Sequence, residues 1–121
     1  MKEKTPPTIL VVDDEDNMRH MLQTLLSESG YAVDTAPDGE KALERVAQAH
    51  YPFVFCDIRM PNMDGMAFLQ AAQSYLENTN VIMMSAYGSI DTAVEAMKNG
   101  AYDYISKPFK PDEILLALKK A

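Results

Sequence analysis

Short apolar runs alternate with amphipathic segments along most of this chain, and this alternation limits its fold more than any other feature. Each run is rich in β-branched or large apolar residues, and residues with the spacing of one helix face follow it. The predicted strands are 8–12, 31–36, 53–56, 81–84 and 103–106. Five strand–helix units with short links predict an α/β fold, in which one parallel sheet carries helices on both faces.

The predicted helices begin and end at residues that are typical of helix ends. Asp16 is predicted to cap the first helix and Gly30 to end it, Asp38 with Gly39 opens the second, and Ser89 caps the fourth. The third helix is expected over 66–75. The apolar residues expected on the buried helix faces are Met18, Met21, Leu22, Leu25 and Leu26, then Ala42, Leu43, Val46 and Ala49, then Ile90, Ala93, Val94 and Met97, and last Ile114, Leu115 and Leu118.

The length of 121 residues suits one domain, which we expect over 8–121 after a flexible polar leader at 1–7. A net charge of −7 argues against nucleic-acid binding by this chain, because basic side chains supply most of that affinity. No apolar run approaches the roughly 18 residues of a membrane span, so we expect no membrane association. The single cysteine, Cys56, excludes an internal disulfide and favours a cytoplasmic location.

Acidic, hydroxyl and lysine side chains follow the predicted strands at the points where those strands end. Asp13 and Asp14 follow the first strand, Asp57 the third, Ser85 the fourth and Lys107 the fifth. Because ligands of open parallel sheets bind beyond the carboxyl ends of the strands, these residues are expected to converge on one edge of the fold.

Three neighbouring carboxylates repel one another, and a hard divalent cation would relieve that repulsion. Oxygen ligands with room for water suit Mg²⁺. A lysine and a hydroxyl beside such a site are what phosphoryl transfer requires, and a carboxylate can itself be the nucleophile. Each residue alone has an ordinary structural explanation, for example an acidic helix N-terminus. The chemistry by itself leaves Asp13, Asp14 and Asp57 open as the nucleophile.

Four motifs in register carry a family resemblance that spans the chain from Thr8 to Ala121. They are VVDDE at 11–15, DIRMPNMDG at 57–65, MSAYG at 84–88 and SKPF at 106–109. With them the chain resembles the receiver domains of two-component response regulators, the CheY-like family. The resemblance implies a flavodoxin-like, doubly wound (βα)5 fold with strand order 2-1-3-4-5. It also implies a phosphorylation-controlled switch, with no enzymatic activity beyond its own phosphorylation and dephosphorylation.

The resemblance assigns a metal ligand or acceptor role to four residues. Asp57 is implied as the phosphoacceptor and as a ligand of Mg²⁺. Asp13 and Asp14 are implied as the acidic pair around the ion, with Asp14 the more direct ligand. The backbone carbonyl of Arg59 is implied as the remaining protein ligand.

The resemblance also assigns roles around the phosphoryl group. Ser85 is implied as the hydroxyl that follows this group, and Lys107 as its salt-bridge partner, with a cis bond before Pro108. Tyr104 is implied as the aromatic switch residue. Phosphorylation would then reshape the face made by the fourth helix, the fifth strand and the fifth helix.

A finer resemblance over 84–109 is to receivers of NtrC-like transcription activators. It implies a sensor histidine kinase as partner and an output domain in a longer parent chain. A homodimer formed through the face near Tyr104 is a separate expectation. The chain itself has no Walker-type phosphate-binding motif, so an ATPase could only lie elsewhere.

Two other functions are compatible with parts of the pattern. An aspartyl-nucleophile phosphatase of the haloacid dehalogenase type needs DxDx[TV] after the first strand, and here Asn17 and Met18 break that motif. A flavodoxin-like binding module that is never phosphorylated would not need the complete acidic site.

Overall fold

A computed structural model describes residues 8–86 and 90–120, and its centre is one parallel five-stranded sheet. The strands pair in the order β2-β1-β3-β4-β5, which confirms the order 2-1-3-4-5 and the flavodoxin-like fold. Their bounds are β1 Thr8–Val12, β2 Ala32–Ala36, β3 Phe53–Asp57, β4 Asn80–Ser85 and β5 Asp103–Ser106.

Helices cover both faces of the sheet because the central strands are apolar on both sides. Leu10, Val54 and Met83 point towards α2, α3 and α4, whereas Val11 and Phe55 point towards α1 and α5. The helices are α1 Asp16–Glu28, α2 Gly39–Gln48, α3 Gly65–Ala71, α4 Ile90–Lys98 and α5 Pro111–Lys120, and a short 3₁₀ turn, Gln73–Tyr75, follows α3.

Some of the helix ends lie where the sequence predicted them, and others do not. Asp38 caps α2 by accepting a hydrogen bond from the Lys41 amide at 2.9 Å, and Gly30 ends α1 with a φ of 96°, both as predicted. The predicted cap at Asp16 is wrong, because Asp16 is already the first residue of α1 and its carboxylate pairs with Arg19. The predicted third helix, 66–75, is instead α3 followed by the 3₁₀ turn.

Some residues expected on buried helix faces are exposed. Met21 is 38% exposed, since Leu22 and Leu26 already fill the contact of α1 with the sheet. In α4, Val94 and Met97 are 46% and 48% exposed, whereas the small residue Ala96 is buried in the core. The expectation for Met21, Val94 and Met97 is therefore wrong. Ala49 is also exposed and lies just beyond the end of α2.

Three predictions fall on parts of the chain that the structure does not describe. They are the leader at 1–7, the Ser89 cap, and the burial of the Ile90 side chain. Within 8–86 and 90–120, no helix combines the length and the apolar character that crossing a bilayer demands.

Adjacent residues of α1 provide a test of this packing. We expect Leu22→Ala to lower the free energy of unfolding by about 2–5 kcal/mol, because it leaves a cavity in the core. Met21→Ala should cost about 0.5 kcal/mol or less, as at other surface positions. Urea unfolding of both variants measures the difference, and similar losses would contradict the orientation of α1.

Candidate functional site

The carboxyl ends of β1 and β3 bring two aspartates into the interior. Asp13 follows β1 directly, and its amide donates to the Ala36 carbonyl of β2 at 3.2 Å, so the ladder continues past the strand. Asp57 is the last residue of β3, lies opposite Met84 of β4 and is only 6% exposed. Apolar neighbours on both strands force these charges into a buried edge, where each needs a partner.

Carboxylate oxygens of Asp13, Asp14 and Asp57 lie within 4.8 Å of one another. Asp13 and Asp57 are buried and Asp14 is exposed, so the group opens to solvent on one side. Several oxygens around a space that water can enter are the ligand set that Mg²⁺ prefers. These three residues, which the sequence predicted as metal ligands, therefore fit a magnesium ion.

Lys107 connects the two buried aspartates. Its Nζ lies 2.8 Å from Asp13 Oδ2 and 3.4 Å from Asp57 Oδ1, and its side chain is largely buried. The Lys107 amide donates to the Ser85 carbonyl at 2.9 Å, which fixes the start of the β5–α5 loop against β4. The Lys107–Pro108 bond is cis, as the resemblance implied.

The surroundings change the pKa of both partners. Burial, followed by the Asp13 charge, raises the pKa of Asp57 from 3.8 to about 6, although Lys107 acts in the opposite direction. Burial lowers the pKa of Lys107, but its hydrogen bond to Asp13 and the charges of Asp13 and Asp57 outweigh this, and the net pKa is raised. The lysine is therefore an ammonium. Asp57 is a carboxylate at neutral pH, but its surroundings disfavour this charged form, and added positive charge would stabilise it.

A pocket of about 290 Å³ opens at this edge of the sheet. It is lined by Asp14, Glu15, Asp57, Arg59, Ser85, Ala86 and Lys107. Ser85 is buried at the end of β4, one residue beyond the partner of Asp57 in the ladder. A larger groove of about 460 Å³ between α1 and α5 contains none of the predicted site residues.

Glu15 and Ala86 line the pocket although the sequence did not predict them as site residues. The Glu15 amide donates to Asp13 Oδ1 at 3.0 Å, so this residue also orients a buried carboxylate. Its position directly after Asp13 and Asp14 was the only available signal. Ala86 follows Ser85 and offers only backbone polar groups, which residue type alone does not reveal.

Tyr104 lies on β5, away from the pocket lining, and its ring packs against the core on the α2–α4 side of the sheet. Its hydroxyl is buried and has no hydrogen-bond partner within 8–86 and 90–120. A buried hydroxyl without a partner costs free energy, and the packing of the ring against the core must offset that cost.

An acidic pocket at the carboxyl edge of a parallel 2-1-3-4-5 sheet, with a lysine that bridges two buried aspartates, defines a class of signalling domains. The family model of the response regulator receiver domain matches the sequence over residues 9–119, and the chain belongs to this family. A receiver fold is typical of signalling proteins, and the finer resemblance to NtrC-like regulators is also confirmed.

Regulatory protein AtoC of Escherichia coli is a relative of that kind. It is 46% identical over 113 residues, which cover 93% of this chain and 24% of AtoC. The chain therefore spans about a quarter of the length of this relative.

Two solved structures share the fold. The chemotaxis protein CheY4 of Vibrio cholerae superposes with a TM-score of 0.89 at 32% identity, over 95% of this chain and 98% of that one. A response regulator from Burkholderia pseudomallei gives a TM-score of 0.87 at 30% identity, over 93% of this chain and 66% of that one. The Burkholderia structure contains a phosphorylated aspartic acid and a calcium ion.

The raised pKa of Asp57 predicts a dependence of stability on pH. A carboxyl that binds its proton more tightly in the folded state loses stability as the pH rises from about 3.8 to about 6, and the loss is complete above that. In the presence of a chelator, Asp57→Asn should therefore stabilise the fold at about pH 7.5 by roughly 1–2 kcal/mol, and by less at about pH 4.5.

Urea unfolding at the two pH values measures this effect. Glu77→Gln, at an exposed carboxylate outside the pocket, is the control and should change stability little at either pH. An Asp57→Asn variant no more stable than the parent at the higher pH would contradict the electrostatic description of the site.

Proposed function

We propose that this chain is a phosphorylation-dependent switch that accepts a phosphoryl group on Asp57 from the phosphohistidine of a sensor histidine kinase, in a Mg²⁺-dependent reaction. One observation carries the proposal: Asp57 borders the acidic pocket and also contacts the Lys107 ammonium. Charge on a transferring phosphoryl group needs such a fixed cation close by.

Asp57 is favoured as the nucleophile over the other two candidates. Asp13 is fully buried, does not line the pocket, and already accepts from Lys107 at 2.8 Å and from the Glu15 amide at 3.0 Å. Asp14 lines the pocket but is exposed to solvent. Asp57 alone combines access to the pocket with the lysine contact. The phosphorylated aspartic acid of the Burkholderia response regulator is consistent with this choice.

The transfer balances as a simple displacement. A carboxylate oxygen of Asp57 forms a bond to phosphorus while the bond between phosphorus and the histidine nitrogen breaks, and that nitrogen takes up a proton. Lys107 neutralises charge on the phosphoryl oxygens, and the Ser85 hydroxyl can donate to one of them. The switch is reset by hydrolysis: water attacks phosphorus, the bond between phosphorus and the Asp57 oxygen breaks, and inorganic phosphate leaves Asp57 as a carboxylate.

Asp13, Asp14, Asp57 and the backbone carbonyl of Arg59 would hold the Mg²⁺ ion. When bound, the ion supplies positive charge that offsets the repulsion between the carboxylates and the incoming phosphoryl oxygens. Arg59 lines the same pocket, directly after Ile58 in the loop that leaves β3. We propose no enzymatic activity beyond self-phosphorylation and self-dephosphorylation.

The switch is proposed to act through Ser85 and Tyr104. Movement of Ser85 towards the phosphoryl group would free space behind it, and the Tyr104 ring would turn and bring its hydroxyl to a partner or to water. Val94 and Met97 on α4 and Tyr102 directly before β5 are exposed, and we propose that they form an apolar surface that such a turn would reshape.

This surface, on the face made by α4, β5 and α5, is where we expect the signal to leave the domain. By similarity to AtoC, we propose that the partner is the output domain of a cytoplasmic transcription regulator of which the chain forms the receiver, and that a second copy can bind the same face. The net charge of −7 makes DNA binding a task for that output domain.

The acceptor assignment is tested by labelling with acetyl phosphate. The parent chain should gain the mass of one phosphoryl group when Mg²⁺ is present and none when it is chelated. Asp57→Asn should abolish the gain, because an amide oxygen is too weak a nucleophile to replace the carboxylate. Intact-mass spectrometry makes the measurement. The matched control is Asp112→Asn, at an exposed position of α5, which should keep full labelling.

Unchanged labelling of the Asp57→Asn variant would refute the assignment. Sustained release of phosphate over many cycles from a simple phosphate monoester would favour a phosphatase instead. Failure of the parent chain to bind beryllofluoride with Mg²⁺ would favour a binding module that is not phosphorylated.

The unpartnered hydroxyl of Tyr104 gives a second test. Tyr104→Phe should raise the free energy of unfolding by about 1–2 kcal/mol, because it removes a buried polar group without a partner. The matched control is Tyr102→Phe, since the Tyr102 hydroxyl donates to the Lys120 carbonyl and its loss should bring no gain. Thermal and urea unfolding measure both variants. Equal effects at the two positions would show that the Tyr104 hydroxyl is satisfied.

A further inference from the structure

The loop between β3 and α3 carries Arg59; its start is bonded to β4, and its two ends are bonded to each other. The Ile58 amide donates to the Met84 carbonyl at 2.9 Å, and the Gly65 amide donates back to the Ile58 carbonyl at 2.8 Å. A side chain at position 65 would collide with the Asp57 carbonyl, so glycine is needed for this closure. These bonds fix the two ends of the loop, but they do not position residues 59–64 between them.

The middle of the loop is held by the N-terminus of α2. The Gly39 amide donates to the Met63 carbonyl at 3.1 Å, and Asn62 Nδ2 donates to Asp38 Oδ2 at 3.3 Å. The other oxygen of Asp38 accepts from the Lys41 amide at 2.9 Å, so the same carboxylate starts α2 and holds the loop. We call this set of four residues the α2–loop contact: Asp38, Gly39, Asn62 and Met63.

The two backbones approach so closely that residue types are restricted on both sides. A Cβ atom at Gly39 would collide with the carbonyl oxygen of Met63. Asn62 has a φ of 68°, a left-handed conformation that asparagine tolerates better than most residues. The loop shape therefore depends on contacts from α2 as well as on the loop itself.

We propose that the α2–loop contact positions the Arg59 carbonyl for Mg²⁺, so that Asp38 and Asn62 are positioning residues for phosphoryl transfer; this rests on the function proposed above. A backbone carbonyl cannot change rotamer, so only the loop shape determines where it points. Mg²⁺ accepts little deviation from octahedral geometry, and a small loop displacement should therefore weaken its binding. Loss of a group that orients a metal ligand commonly weakens metal affinity by about 10- to 100-fold.

Exchange of the two side chains tests the proposal. Asn62→Asp sets two carboxylates against each other and should push the loop from α2, which lowers Mg²⁺ affinity by about tenfold. The added negative charge alone would raise Mg²⁺ affinity, so the two explanations predict opposite signs. The double variant Asp38→Asn/Asn62→Asp restores one donor, one acceptor and the parent charge, and should recover most of the affinity.

NMR titration of the 121-residue chain with MgCl₂ measures the affinity, and acetyl phosphate labelling measures transfer at low and at saturating Mg²⁺. Labelling of Asn62→Asp should be slow at low Mg²⁺ and return towards the parent rate at saturation. Gly39→Ala should weaken Mg²⁺ binding in the same way. Val46→Ala, two turns further along α2, should lower the melting temperature but leave Mg²⁺ affinity unchanged.

Parent-like or tighter Mg²⁺ binding by Asn62→Asp would overturn the proposal, as would a double variant that recovers nothing. An affinity loss in Val46→Ala equal to that in Gly39→Ala would also overturn it, because general loosening of α2 would then suffice. If the parent chain itself binds no Mg²⁺ and takes up no phosphoryl group, the proposed function fails as well. The two failures are therefore distinguishable.

Discussion

The buried ion cluster of Lys107, Asp13 and Asp57 is the constraint on which the rest of the site depends. Two carboxylates at the ends of apolar strands cannot stay charged in the interior without a cation. Lys107 supplies it from the end of β5, across β4, with Nζ 2.8 Å and 3.4 Å from the two carboxylates. The parallel order β2-β1-β3-β4-β5 brings these three strand ends to one edge, so topology and electrostatics support each other.

The surroundings of this cluster differ in how firmly they are held. On one side, the β3–α3 loop is bound to β4 and to the start of α2 by backbone hydrogen bonds. On the other, α4 meets the core through the small residue Ala96, while Val94 and Met97 face outward. The far end of α4 is tied down, because Gln73 Nε2 donates to the Asn99 carbonyl at 2.9 Å. A loop held by backbone hydrogen bonds beside a helix with exposed apolar side chains is compatible with the switch proposed above.

The predictions that were wrong concern which face of a helix is buried and where a helix starts or ends. Met21, Val94 and Met97 fit the apolar spacing of a buried stripe, yet they are exposed because Leu22 and Ala96 make the contacts with the sheet. Periodicity locates an apolar face only to within a residue or so, and the neighbouring elements decide which side chains fit. Glu15 was missed because its backbone amide orients Asp13, and side-chain type does not reveal a backbone contact.

The sequence by itself determined the α/β alternation, the strand ends that carry Asp13, Asp14, Asp57, Ser85 and Lys107, and the chemistry that such residues can perform. These features are local, because hydrophobic spacing and residue type act over a few positions. Only the tertiary structure decided that Lys107 bridges two aspartates, that Tyr104 buries an unpartnered hydroxyl, and that α2 holds the β3–α3 loop. Those facts join residues far apart in the chain, and their distances exist only once the sheet has packed against its helices.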